Sequence, residues 1–322
     1  MTTPDQTGRP AAEERLLRER LQRAGYLADA DLATTVWLAS ALQRPLLLEG
    51  DAGVGKTALA TALAQSQSEQ NATLVRLQCF EGLDLAQAAY EWNYGRQLMA
   101  IRMSESDKDA AGRVRESDVF SRDYLLERPL LRAISQQGPC VLLIDEIDRA
   151  DEAFEAFLLE VLAEYQITVP EIGTIRATHI PQVILTSNGT RELSDALRRR
   201  CLYHYLDYPT LAREIAIVKA ALPQVDTRLV EDAVQFVQRL RREDLAKIPG
   251  IAETLDWVSA LFQMRHNSLP EDMSAVLGTL GCLLKTREDR FVMGPDRLRQ
   301  LVEGRRTVGV AENSTEQAKA AA

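Results

Sequence analysis

Eight residues, GDAGVGKT at 50–57, carry the most specific chemistry in the chain. They fit the spacing G-x-x-x-x-G-K-[ST] and stand between an apolar run, PLLLEG (45–50), and a helical pattern, ALATALAQ (58–65). Gly50, Gly53 and Gly55 let the backbone wrap tightly. The N–H groups of this loop, through Asp51, Ala52 and Val54 to Ala58, are expected to point at phosphate oxygens, helped by the positive end of the helix that follows. Lys56 can reach the β- and γ-phosphates of a nucleotide, and the Thr57 hydroxyl is placed to ligate Mg²⁺. ATP and Mg²⁺ are therefore the expected cofactors.

Two acidic residues, Asp145 and Glu146, close the apolar run VLLIDEID (141–148). At the carboxyl end of a buried strand they would face a ligand bound at the sheet edge. Asp145 can hold the hydration shell of Mg²⁺, and Glu146 can polarise the attacking water. Asp148 reads either as a cap for the next helix or as part of the site. Asn188 ends the run QVILTSN (182–188), where its amide could hold the water or contact the γ-phosphate. The stretch SDALRRRCLYHY (194–205) then sets Arg198, Arg199 and Arg200 side by side. Three guanidinium groups that never deprotonate repel one another and call for negative charge. A surface cluster paired with local acids such as Asp195 is one reading; a triphosphate on another chain is the other.

These residues need a scaffold. The apolar runs 45–50, 73–79, 140–146, 182–188 and 201–209 alternate with helical patterns. Continuous apolar runs of this kind suit strands buried on both faces of a parallel sheet with helical crossovers. Two helices are expected within 13–43. Phe154, Phe157, Leu158, Val161 and Leu162 form one helical stripe. After Pro209 the strand signals stop, and 227–242, 252–264 and 270–284 read as helices. The resulting expectation is an α/β fold: a P-loop module with a five-stranded parallel sheet flanked by helices, then a small all-helical domain.

Hydrophobic residues make up 46% of the 322 and charged residues 26%, as in a globular protein with a full core. A net charge of −9 counts against a general nucleic-acid binder. Cys79, Cys140, Cys201 and Cys282 lie far apart and read as buried reduced thiols. The polar N-terminus shows no signal peptide, and no run reaches the ~18 apolar residues of a membrane span, so the cytoplasm is the expected location.

The order of these motifs resembles the AAA+ ATPases over nearly all of residues 40–300. Within that group the chain is most similar to the MoxR branch. The features are a long segment between the second strand and LLIDEID, and a hairpin-like stretch, YQITVPEIGTIRATHIP (165–181). The stretches 76–98 and 142–160 are similar to the CoxD-like subgroup, linked to maturation of the molybdenum–copper carbon monoxide dehydrogenase. The resemblance implies a flexible N-terminus (1–12), a large AAA+ domain (13–208) with an insert near 80–124, a helical lid (209–304) and a flexible tail (305–322). It also implies a ring of copies of this chain, a hexamer, in which Arg200 first, or Arg199, reaches a neighbour's ATP. Arg198 is expected to be solvated. A von Willebrand factor A adaptor and a client protein are the implied partners.

One departure from the family pattern is visible. Where MoxR relatives carry a lid arginine, this chain has Glu253 or Thr254, and Lys247 is a candidate substitute. Tyr90, Trp92 and Tyr94 alternate as on a strand, with Gly95 suggesting a turn; this segment reads as a client-gripping hairpin or as core packing. The basic stretches RLRRE (239–243) and RLRQLVEGRR (297–306) read as solvated helix faces. The implied function is Mg-dependent ATP hydrolysis that drives remodelling or maturation of a client. The alternatives are a nucleic-acid-stimulated motor related to restriction ATPases, and an ATP-bound assembly switch.

Overall fold

A computed structural model describes residues 9–67, 69, 72–106, 119–269 and 273–303. The segments 1–8, 107–118 and 304–322, which take in most of the expected flexible ends and the charged part of the insert, lie outside the described residues. The chain divides into two compact units, Met1–Asp207 and Tyr208–Ala322.

The first unit begins with helices α1 (Arg9–Arg23) and α2 (Ala30–Ala41). Asp29 caps α2 by accepting from the Leu32 amide at 2.8 Å, which satisfies one of the free N–H groups of the first turn. Strand β1 (Leu46–Glu49) leads through the glycine loop into α3 (Lys56–Ser66), and β2 (Thr73–Gln78) follows. Next come α4 (Leu85–Ala88), β3 (Tyr90–Trp92), α5 (Tyr94–Ser106), β4 (Leu125–Glu127) and α6 (Pro129–Ile134). Strand β5 (Cys140–Asp145) and α7 (Glu152–Glu164) precede a hairpin, β6 (Gln166–Val169) and β7 (Gly173–Arg176). The unit closes with β8 (Gln182–Ser187), α8 (Asp195–Arg200) and β9 (Leu202–Tyr205).

The main sheet is parallel, in the order β2-β5-β8-β1-β9. All six residues of β5 are buried, as its unbroken apolar run requires. Both-face burial does not extend to the edges. Arg76 and Gln78 on β2 and Tyr203 and Tyr205 on β9 are exposed in alternation with more buried neighbours, so one face of each edge strand is open. The α7 stripe of Phe154, Leu158, Val161 and Leu162 joins Leu142, Ile144, Val183 and Leu185 in one buried core. At roughly 25 cal/mol per Å², burial of such side chains contributes about 1.5–3 kcal/mol each.

Only part of the aromatic alternation at 90–94 is strand. Tyr90 and Trp92 pair with Glu127 and Leu125, and Trp92 meets the edge of Phe120 with centroids 5.2 Å apart. Tyr94 and Gly95 open a helix instead of a turn. The Asn93 side chain accepts from the Arg96 amide at 3.0 Å and its carbonyl from the Gln97 amide at 3.0 Å, a helix start. Cys79, Cys140 and Cys201 are buried, and burial pushes their thiols up to about 12, about 11 and about 12; Cys282 is half-buried. No helix among the described residues is long and apolar enough to cross a membrane.

The second unit is helical: α9 (Leu211–Ala221), α10 (Thr227–Leu240), α11 (Ile251–Gln263), α12 (Met273–Thr279), α13 (Arg287–Val292) and α14 (Pro295–Glu303). Phe236 and Trp257 pack with ring centroids 4.9 Å apart and planes tilted by 40°, in a core that also takes Val218, Val276, Leu298 and Leu301 from the other helices. The stretch 239–243 is not a solvated face. Arg241 pairs bidentately with the fully buried Glu214 at 2.6 and 2.7 Å, and Thr254 and Gln238 supply the remaining donors at 2.9 and 2.6 Å. Arg239 donates to the Leu301 carbonyl at 2.7 Å, and Glu243 receives Arg297 at 2.6 Å. A carboxylate with no exposure must be matched in full, which is why the basic run turns inward. Glu214→Ala should therefore cost about 3–5 kcal/mol, because it strands a buried guanidinium. Urea unfolding of the full chain checks this; a loss under about 1 kcal/mol would show that solvent repairs the gap.

Candidate functional site

A parallel sheet brings the carboxyl ends of its strands to one edge, and the motif residues collect there. Gly50 follows β1 where the backbone passes so close to β9 that an added Cβ would lie 2.3 Å from the Leu206 carbonyl oxygen. Gly55, at φ +101°, sits in the left-handed region and opens α3 without a side-chain cap. The amides of the first turn of α3 are thereby left to an external acceptor.

Lys56 is 6% exposed. Its ammonium donates to the Gly50 carbonyl at 2.6 Å, the Asp51 carbonyl at 2.7 Å and Asn188 Oδ1 at 2.8 Å. Burial pulls its pKa below the usual lysine range, while Asp148, Asp51, Asp145 and Glu146 push it back up. The Thr57 hydroxyl donates to Asp145 at 3.1 Å. Asp145 also accepts from Thr186 Oγ1 at 2.5 Å and from Arg76 at 2.5 Å.

Glu146 adopts φ +55°, a left-handed conformation that is strained for a residue with a Cβ. The Thr186 hydroxyl holds its amide at 2.9 Å, and Arg149 and Gln78 reach its carboxylate at 3.0 and 2.9 Å. Asn188 Nδ2 lies 3.4 Å from Glu146 Oε1. Lys56, Thr57, Asp145, Glu146 and Asn188 thus form one connected cluster. Thr57 and Asp145 are hard oxygen donors side by side, which suits Mg²⁺. Among the described residues no group of three His, Cys, Asp or Glu side chains could hold a metal, and an ion that keeps waters and phosphate oxygens needs none.

Asp148 is not the cap of the next helix. Asp151 caps α7, accepting from the Phe154 amide at 2.8 Å. Asp148 turns the other way and accepts from Asn188 N, Thr190 N and Thr190 Oγ1 at 3.2, 3.0 and 2.6 Å, shaping the loop that presents Asn188. The buried Glu155 holds that loop too, by pairing with Arg191 and accepting from the Ser194 amide at the start of α8.

The arginine run lies at the end of α8, apart from this cluster. Arg198 is not merely solvated: it lies 3.7 Å from Glu49, where a strand-end carboxylate meets it. Arg199 lies 3.8 Å from Asp195, with both side chains over four-fifths exposed, a pairing worth little. Arg200 is exposed. Arg44 binds the Arg199, Arg200 and Cys201 carbonyls and so caps the end of α8. In the helical unit Glu253 accepts from the Gly250 amide at 3.0 Å as the cap partner of α11, and Thr254 serves Glu214.

Sequence reasoning missed Arg76, Gln78, Thr186, Arg149 and Arg44. Arg76 and Gln78 left a signal: polar residues alternate with Val75 and Leu77 toward the carboxyl end of β2. Their contacts required knowing that β2 pairs with β5.

Residues 36–170 match the family described as AAA ATPase domain. The chain is 30% identical over 207 residues to the gas vesicle ATPase GvpN of Haloferax mediterranei, an alignment covering 62% of this chain and 56% of that protein. It is 24% identical over 275 residues to the chaperone protein ClpB of Chlamydia trachomatis, covering 82% of this chain and 28% of that one. A solved variant of Thermotoga maritima RuvB overlays with a TM-score of 0.41 at 18% identity, covering 83% and 68% of the two chains. The chain thus spans little more than half the length of its gas vesicle relative.

Proposed function

We propose that this chain hydrolyses Mg-ATP and uses the energy to remodel or mature a client protein, as a MoxR-type AAA+ chaperone acting in a ring, a hexamer. The observation that carries the reading is the connected cluster of Lys56, Thr57, Asp145, Glu146 and Asn188 at one sheet edge. The loop from Gly50 through Asp51, Ala52, Gly53, Val54 and Gly55 to Ala58 offers its amides to the phosphates, and Lys56 exchanges its carbonyl partners for β- and γ-oxygens. Mg²⁺ held by Thr57 and Asp145, largely through water, supplies charge neutralisation at the phosphates. Glu146 orients and polarises the attacking water, and Asn188 holds that water against the γ-phosphate. Arg200, with Arg199 beside it, completes a neighbour's site by offsetting charge that builds during transfer. A head-to-tail contact of this kind closes into a ring.

The gas vesicle and chaperone names of the two relatives support action on a protein assembly. An adaptor with a von Willebrand factor A domain and a metalloenzyme client such as carbon monoxide dehydrogenase fit the MoxR and CoxD-like motifs. The cytoplasm is the compartment where ATP and reduced thiols coexist.

Lys56→Ala should weaken ATP binding at least tenfold, read by titration with a fluorescent nucleotide. Glu146→Gln should keep ATP affinity while kcat falls about 10²–10⁴-fold, and a pull-down with this form under ATP should retain the client. Arg200→Ala should also keep affinity and lose roughly 10³-fold in kcat. Mixing the two inactive forms should restore turnover, since an Arg200→Ala copy keeps its own Glu146 and can borrow a neighbour's arginine. Absence of any recovery would place Arg200 in its own site.

A further inference from the structure

We propose that Arg76 is an internal counter-cation of Asp145 that a divalent metal ion must displace, so that this arginine sets how tightly the site holds its metal. The proposal rests on the metal–nucleotide reading above.

Asp145 is 3% exposed, and a buried carboxylate without partners is costly. Its Oδ1 accepts from Thr186 and Thr57, at 2.5 and 3.1 Å. Its Oδ2 accepts from Arg76 Nη2 at 2.5 Å and from Thr57 at 3.3 Å. Among the described residues the cation in ion-pair contact with that carboxylate comes from β2, where Gln78 is the register partner of Asp145 and Arg76 lies two residues earlier on the same face. A guanidinium does not deprotonate, so it cannot give way by titration and must move. A dication brought to this carboxylate, directly or through a water, and a guanidinium on its Oδ2 repel each other. The Arg76 side chain is 53% exposed, so it can swing into solvent at small cost.

The displacement has a second consequence. Arg76 Nη2 also donates to Gln78 Oε1 at 2.8 Å, and Gln78 Nε2 donates to Glu146 Oε2 at 2.9 Å. Removing Arg76 from Asp145 frees the Gln78 amide from one of its two anchors. Metal arrival and the orientation of Glu146 are thereby linked through two hydrogen bonds.

The test is Mn²⁺ binding to the ADP-loaded full chain, followed by the paramagnetic resonance signal of the free ion. Arg76→Gln should bind Mn²⁺ roughly threefold to tenfold tighter than the wild type, the range of one partly exposed charge pair. Arg76→Lys, which keeps the charge, should stay near the wild type. In EDTA, Arg76→Gln should melt below the wild type, and Mg-ADP should narrow that gap. Should Arg76→Gln fold poorly, Arg76→Met carries the same comparison. Unchanged or weaker Mn²⁺ binding by a folded variant with normal ADP affinity overturns the proposal. A wild type that binds no Mn²⁺ beside ADP would overturn the metal–nucleotide reading itself.

Discussion

A buried ammonium must find oxygen atoms in every direction it can donate, and Lys56 finds them on two separate stretches of chain. Two carbonyls come from its own loop and the third acceptor from Asn188, beyond the end of β8. Such an arrangement needs β1 and β8 to be neighbours, which in turn needs the crossover order β2-β5-β8-β1-β9. It also needs a loop that lets the backbone carbonyls curl toward the lysine. Gly50 permits this because no Cβ fits beside the Leu206 carbonyl. The ammonium therefore joins the glycine loop to the sheet edge.

Around that centre the acidic groups are held in two different ways. Asp145 is buried and held between Thr57 and Thr186, with Arg76 reaching it from β2, so its position is set by the sheet. Glu146 is partly exposed, sits on strained backbone, and is reached by Arg149 and Gln78 side chains that can reorient. Stored backbone strain beside an adjustable carboxylate suits a group that must adopt a specific direction only when its reactant is present. Asp148 and Glu155 extend the rigid part outward, since together they fix the loop from Asn188 to the start of the arginine-bearing helix.

The helical unit solves a different problem by the same physics. Glu214 would be intolerable alone in an apolar core, and Arg241, Thr254 and Gln238 surround it. Thr254 stands where the family resemblance led one to look for a nucleotide-sensing arginine, and its hydroxyl is committed to this network instead. Glu253 is committed to capping α11.

The amino-acid sequence alone determined the elements whose signal is local. Loop spacing at 50–57, the unbroken apolar runs and the acidic pair at 145–146 each reflect interactions within a few residues, so the α/β fold and the core of the site were legible. The same holds for the hairpin at 166–176 and for the helical composition after Pro209. What only the tertiary structure decided was how polar side chains from distant segments share partners. The inward turn of Arg241, the bond from Gln78 to Glu146, the hold of Arg76 on Asp145 and the diversion of Asp148 from helix cap to loop brace all depend on strand neighbours. Adjacency in a parallel sheet is set by crossovers, and periodicity along one strand carries no record of which strand lies beside it.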